Sequence, residues 1–142
     1  MKLLNKQEAI TAVGGTHLKG YLGGYTYSQL VDALGEPTFP EPSGDDKIQK
    51  EWVFTYKGEV FTIYDWKTYD EEYTTTRLYS WNVGGKTPAY DFIEAIENKL
   101  NNKLFCIFMS SYVKKYLPVP NERERYFIFK YAGKVLFKRY IS

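Results

Sequence analysis

The stretch that decides the fold is residues 26–67, TYSQLVDALGEPTFPEPSGDDKIQKEWVFTYKGEVFTIYDWK. It opens with Thr26 and Gln29, whose spacing is that of a capping box, in which two side chains bond free backbone N–H groups of the first helical turn. Apolar residues then recur with a period of 3.6 residues, and Gly35 with the proline two positions later ends the pattern. These signals predict a helix over residues 26–35 with one apolar face.

The remainder of the stretch predicts a β-hairpin that follows a surface loop. Residues 36–46 contain three prolines, one glycine and two aspartates without any periodicity, which is typical of an exposed loop. Aromatic and polar residues then alternate along residues 51–57, as expected for a strand with one aromatic face. A turn at Gly58 returns the chain along residues 60–66, whose apolar character on both faces indicates a strand that is covered from both sides.

The flanking sequence extends this hairpin into a sheet with a second helix. Glycine pairs bracket a strand at 16–22, and alternation predicts another strand at 77–83. Thr87 followed by proline predicts the start of a helix over residues 88–101, because proline is tolerated at the first helical position. Residues 1–13 fit either a short strand or a single helical turn.

The C-terminal part of the chain predicts further β-structure. The apolar run at 104–109 indicates a short strand, and a basic aromatic hairpin follows it. We therefore predict a single α+β domain over residues 1–142, with a twisted antiparallel sheet and both helices on one face of it. The core is expected from about residue 14 to residue 102, and a C-terminal β-hairpin extension occupies residues 103–142.

Composition places the chain among ordinary globular proteins. It has 142 residues, of which 44% are hydrophobic and 25% charged, enough to bury a core and too apolar for a disordered chain. The single cysteine, Cys106, cannot form an intrachain disulfide, and no apolar run reaches the length of a membrane span. We predict a cytoplasmic protein that does not interact with a membrane.

Charge is divided unevenly between the two parts of the chain. Residues 1–98 contain 9 Lys/Arg and 15 Asp/Glu, a formal charge of −6, whereas residues 99–142 contain 10 and 2, a formal charge of +8. Such a division predicts charged partners. The acidic side chains either solvate loops or imitate nucleic-acid charge toward a basic protein. The predicted acidic surface consists of Asp45, Asp46, Asp70, Glu71 and Glu72.

Basic and aromatic residues are interleaved in the predicted C-terminal hairpin. Single-stranded nucleic acid binds such faces, because phosphates contact the cations and bases stack on the rings. The alternative is an amphipathic hairpin whose charged face discourages edge-to-edge aggregation. The candidate binding residues are Tyr126, Lys130, Lys138, Tyr140, Arg123 and Arg125.

A second candidate site is the sequence Gly84-Gly85-Lys86-Thr87 before the second predicted helix. A phosphate-binding loop would need another glycine where the chain has Ser80, inside a predicted strand. The segment is therefore either a tight turn with a helix cap or a weak anion site at a helix N-terminus.

No assembled catalytic set is visible in the sequence. The chain has one histidine, His17, and one cysteine, so neither a nucleophilic triad nor a zinc site is predicted, and we expect no metal, no cofactor and no enzymatic activity. Asp65 stands between Tyr64 and Trp66 in an otherwise apolar strand. A buried carboxylate needs a partner, so Asp65 is expected to be either an edge residue or a functional group.

Several motifs occur in an order that resembles small proteins encoded by bacteriophages and mobile elements. The resemblance extends from about residue 16 to residue 100, and the basic segment after Asn102 lies outside it. It implies a small phage accessory protein and implies no reaction. The motifs are YSQLV at 27–31, LGEP at 34–37, EW at 51–52, TIYDWK at 62–67 and WNVGG at 81–85.

Together these observations predict a non-enzymatic, phage-type binding protein in the host-cell cytoplasm. We expect a counter-defence inhibitor, of the anti-CRISPR or anti-restriction type, that occupies a host defence protein or nucleoprotein complex. One alternative is a nucleic-acid-binding accessory protein that uses the basic hairpin. Another is a sponge for an anionic signalling nucleotide that uses residues 84–87. The sequence predicts no oligomeric state.

Overall fold

The computed structural model describes residues 1–116, with side chains as far as residue 111. The chain divides into two compact units, Met1–Leu100 and Asn101–Ser142. The predicted basic hairpin and its candidate binding residues lie outside the described residues. They are Tyr126, Lys130, Lys138, Tyr140, Arg123 and Arg125.

The predicted α+β class with an antiparallel sheet is confirmed. One sheet has the strand order β1-β3-β4-β5-β2, and every neighbouring pair is antiparallel. In chain order the elements are β1 Lys2–Leu3, α1 Lys6–Ala12, β2 His17–Tyr25, α2 Tyr27–Leu34, β3 Glu51–Tyr56, β4 Glu59–Tyr64, α3 Glu71–Thr76, β5 Tyr79–Gly85 and α4 Tyr90–Tyr116.

The main core lies between one face of the sheet and helices α2 and α4. At its centre Trp52 and Trp81 meet edge to face, with ring centroids 5.4 Å apart, and the indole N–H of Trp52 donates to the carbonyl of Gly35 over 2.8 Å. Phe61 of β4 stacks on Phe92 of α4 with centroids 4.7 Å apart. The two predicted helices therefore pack on one face of the sheet, as expected.

Helix α1 partly covers the opposite face of the sheet. It lies within residues 1–13, for which the sequence predicted either a short strand or a single helical turn. A strand and a helix both form here, because Asn5 accepts the N–H of Glu8 at 3.0 Å and the Glu8 carboxylate accepts the N–H of Asn5 at 3.1 Å. Leu4 and Ala9 are buried against Val53 of β3. The buried core therefore begins at Leu4, earlier than the predicted boundary near residue 14.

The second helix differs from its prediction at both ends. It runs over Tyr90–Tyr116, not over residues 88–101, and includes the predicted strand at 104–109. The N–H of Ile93 donates to the carbonyl of Ala89 over 2.8 Å, so Ala89 occupies the N-cap position that Thr87 was expected to hold. Two asparagines at 101 and 102 lower helix propensity without stopping a helix.

A short helix, α3, forms in the polar segment after β4. Helix α3 begins after Asp70, whose carboxylate accepts the N–H of Tyr73 at 3.1 Å. Two acidic residues in its first turn stabilise the helix because their negative charges are attracted to the positive end of its dipole. Helix α3 therefore gives residues 71–76 a regular backbone.

Candidate functional site

The site is organised by Asp65, which follows β4 and is fully buried. Its Oδ1 accepts the N–H groups of Gln49 and Lys50 at 2.8 and 2.9 Å. Its Oδ2 accepts the hydroxyls of Thr68 and Thr74 at 2.7 and 3.2 Å. Four donors thus replace the water that the carboxylate loses on burial. Asp65 is therefore not an edge residue, and its carboxylate is the common acceptor for four groups on the surrounding segments.

Asp65 connects two segments, residues 40–50 and residues 65–76. We call these two segments the loop pair. The N–H of Lys67 also donates to the carbonyl of Lys47 over 2.7 Å. The ammonium group of Lys50 is buried and bonds both the carbonyl of Pro40 and the carboxylate of Glu71. Each segment is therefore fixed to the other by backbone and side-chain bonds.

All five residues of the predicted acidic surface lie on the loop pair and are exposed. The Lys47 ammonium and the Ser43 hydroxyl, bonded to Asp45, lower the pKa of its carboxyl to about 2. Asp46 accepts from the Gln49 side chain at 3.1 Å. The structure thus places acids from two parts of the sequence on two segments that are bonded to each other. The acids are Asp45, Asp46, Asp70, Glu71 and Glu72.

Aromatic side chains are exposed on the second segment of the loop pair, beside the acids. Trp66, Tyr69 and Tyr73 are 45%, 54% and 41% exposed. The ammonium of Lys67 lies 5.7 Å from the ring centroid of Trp66, and the guanidinium of Arg77 lies 4.9 Å from that of Tyr73. Large aromatic residues at the surface are the residues that most often anchor protein interfaces.

The loop pair also contains strained backbone. Asp46, Lys67 and Tyr69 have φ angles of 56°, 53° and 53°. These values lie in the left-handed region of the backbone, which residues other than glycine rarely adopt. Within residues 1–116 only one other non-glycine residue has a positive φ, Lys57 in the β3–β4 turn. Such strain persists only where surrounding bonds enforce it, and it concentrates at functional sites.

A second carboxyl group near the loop pair has unusual electrostatics. Glu51, the first residue of β3, is half-buried, and burial together with the negative charge of Asp65 raises the pKa of its carboxyl to about 7. Within residues 1–116 its side chain makes neither an ion pair nor a hydrogen bond. Glu51 was not among the sequence-predicted site residues, since its sequence context, an exposed-looking acid before Trp52, gives no sign of burial.

The predicted anion site does not form as a helix N-terminus. Gly84 and Gly85 lie inside β5, between β4 and β2, so their backbone groups belong to the sheet. A Cβ on Gly84 would come within 2.5 Å of the Thr62 hydroxyl, and one on Gly85 within 2.8 Å of the Phe61 ring. Close approach of these side chains explains the glycines. Lys86 and Thr87 follow the strand, before the helix begins at Tyr90.

Comparison of the chain with protein-family models, with curated proteins and with solved structures gives no match. The resemblance to phage-encoded proteins therefore stays a prediction. None of the helices in the described part of the chain is long and apolar enough to cross a membrane.

Proposed function

We propose that this chain is a non-enzymatic binding protein whose loop pair occupies a basic surface on a partner protein. The observation that supports the proposal is the combination of five exposed acids and three exposed aromatics on two segments locked by one buried carboxylate. The aromatic rings supply contact area, and the acids supply charge complementarity.

The physical advantage of this arrangement is preorganisation. A flexible acidic loop would lose conformational entropy on binding, which weakens affinity, whereas the bonds to Asp65 fix these segments beforehand. Exposed acids accelerate encounter with a basic partner and exclude acidic ones. Desolvated aromatic anchors then supply most of the binding free energy.

A finer form of the proposal concerns the partner. A surface that binds nucleic acid is one candidate partner, because it is basic and accepts flat rings, and the loop pair offers negative charge and exposed aromatic rings. The chain would then act as a counter-defence inhibitor, of the anti-CRISPR or anti-restriction type, in the cytoplasm of a host cell. The resemblance to phage-encoded proteins supports this form.

The test is retention of bacterial proteins on the immobilised full chain and on two variants. The loop variant carries Trp66→Ala and Glu72→Gln, which remove one exposed aromatic ring and one exposed charge from the loop pair. The matched control carries Tyr90→Ala and Glu94→Gln on α4, which remove an aromatic ring and a charge, the same kinds of group, from another exposed surface. We expect the loop variant to retain its partner at least about 10-fold less than the wild type, because truncating an aromatic hot spot of an interface costs about 2 kcal/mol or more.

The matched control shows whether a loss of retention comes from the loop pair itself or from the removal of any exposed ring and charge. It should retain the same proteins as the wild type, and added DNA or salt should release them. Circular dichroism of both variants checks that each is folded. Equal retention by the loop variant and the control, or retention of no protein by the wild type, would contradict the proposal.

A second candidate function rests on the formal charge of +8 in residues 99–142. This charge favours nucleic-acid binding by the C-terminal segment predicted as a basic hairpin, with Lys130 and Lys138 as phosphate contacts. We expect binding of single-stranded DNA or RNA that weakens steeply with salt, is lost when both lysines are changed to glutamate, and is unaffected by the loop variant. Binding that is absent at low salt, or independent of salt, would remove this candidate.

A further inference from the structure

A groove opens between helix α1 and the first segment of the loop pair, next to β3. Its volume is about 360 Å³, within the range of sites that hold a side chain or a small molecule. The groove is open to solvent, and Ile10 on its rim is 56% exposed. Its walls are mainly apolar, formed by Ile10, Val13, Phe39, Pro40, Pro42 and Ile48.

Two acidic residues line this groove, Glu41 and Glu51, and Glu51 is the half-buried one. Backbone hydrogen bonds between Phe39 and Glu51, of 2.9 and 3.1 Å, fix its position at the start of β3. The carboxyl has no cation or hydrogen-bond donor bonded to it within residues 1–116. The charged and titratable groups around it are Lys6 of α1, Glu41 of the loop, and Tyr64 and Asp65 on the β4 side.

A half-buried carboxylate among apolar walls is complementary to one kind of ligand. An ammonium or guanidinium group would supply the missing counter-charge, and an aliphatic stem would cover the apolar walls. Lysine and arginine side chains have both parts. The same groove would reject an acidic or a purely polar side chain, because neither compensates the desolvation of Glu51.

We propose that this groove binds a lysine or arginine side chain of the partner protein. The inference rests on the proposed function, because it assumes a basic protein partner. Pro40, Glu41 and Pro42 of the groove wall belong to the same segment as the exposed Asp45 and Asp46. A partner seated on the loop pair can therefore place a basic side chain in the groove.

The test follows backbone amide NMR signals of the full chain during titration with N-acetyl-lysine methylamide, and with the norleucine analogue as a neutral control. At pH 8 we expect the lysine probe to shift the amide signals of Ile10, Val13 and Ile48, with at least about 10-fold higher affinity than norleucine. Between pH 8 and pH 5.5 this preference should largely disappear, because the pKa of Glu51 near 7 leaves little carboxylate at the lower pH.

Two variants make the result specific to the groove. Glu51→Gln should abolish the preference for lysine over norleucine, whereas Glu59→Gln, at the exposed first position of β4, should leave it unchanged. Lys6→Met should strengthen lysine binding, because it removes a like charge from the groove. Equal binding of the two probes, an unchanged preference in Glu51→Gln, or no shifts at all would overturn the proposal.

The probe titration contains no partner, so its outcome is independent of the retention experiment. Retention without lysine binding would remove the groove and keep the loop pair as the binding surface. Lysine binding without retention would keep the groove as a site for cationic side chains and remove the loop pair. If both succeed, immobilised Glu51→Gln should retain several-fold less partner than Glu59→Gln, and equal retention would place the partner's basic side chain elsewhere.

Discussion

Replacing Asp65 by alanine is expected to lower the free energy of unfolding by about 3–5 kcal/mol, a large part of the stability of a domain of this size. The substitution removes the common acceptor of two backbone N–H groups and two hydroxyls in a buried site. Each donor left without an acceptor costs about 1–3 kcal/mol, partly offset where a hydroxyl can turn to another acceptor.

Urea unfolding of three variants measures this effect. Asp65→Asn should cost less than Asp65→Ala, about 1–2 kcal/mol, because the amide oxygen still accepts two bonds. Asp32→Ala, an exposed aspartate on α2, should change stability by less than about 0.5 kcal/mol. A loss below about 1 kcal/mol for Asp65→Ala would mean that the loop pair does not depend on this carboxylate.

The second large effect is expected in the opposite direction. Glu51→Gln should stabilise the chain by about 2 kcal/mol at pH 8, because it removes a half-buried charge near Asp65. The carboxyl has a pKa of about 7 in the folded chain against an ordinary value of 4.5, so the folded state binds the proton more tightly. Its contribution is therefore most favourable below pH 4.5 and declines as the pH rises to about 7.

The difference between wild type and Glu51→Gln isolates this contribution from every other titrating group. Urea unfolding at a series of pH values should show a gain from the substitution that grows between pH 4.5 and 7 and is constant above that. Glu59→Gln should show no such trend. A gain that does not vary with pH would show that the pKa of Glu51 is not raised.

The parts of the fold that the sequence predicted are those in which every signal is local. Helix α2 has its capping box, with Thr26 and Gln29 each bonding the other's backbone N–H, and it ends at Gly35 with φ of 95°. The β3–β4 turn has positive φ at Lys57 and Gly58, as the short polar turn between aromatic strands suggests. In these places neighbouring residues decide the structure without help from distant ones.

Other elements depend on context that a local pattern does not contain. The apolar run at 104–109 has no clear period, so composition favoured a strand where helix α4 continues. Helix α3 could have been found from Asp70, an N-cap residue followed by two acids, a signal that the polarity of the segment obscured. A short polar helix is hard to distinguish from a loop by its sequence, and an apolar run without periodicity is hard to assign to a helix or a strand.

The candidate site could be predicted only in part. The sequence indicated the acids and the anomaly of Asp65 and missed their proximity, which follows from hairpin register. With the turn at Lys57 and Gly58, Glu51 pairs with Tyr64, so residue 50 leaves the sheet beside residue 65. Extending that register beyond the strands would have placed the two acidic segments side by side. The four bonds to Asp65 and the groove at Glu51 depend on side-chain packing and could not be read from the pattern.

The most direct test of the loop pair as the binding surface is the amount of partner retained by the matched control divided by the amount retained by the loop variant. Each bait lacks one exposed aromatic ring and one exposed carboxylate of the wild type, an indole in the loop variant and a phenol in the control, at different positions. We expect a ratio of at least about 10 for the specific partner at moderate salt. A ratio of about one would contradict the proposed function.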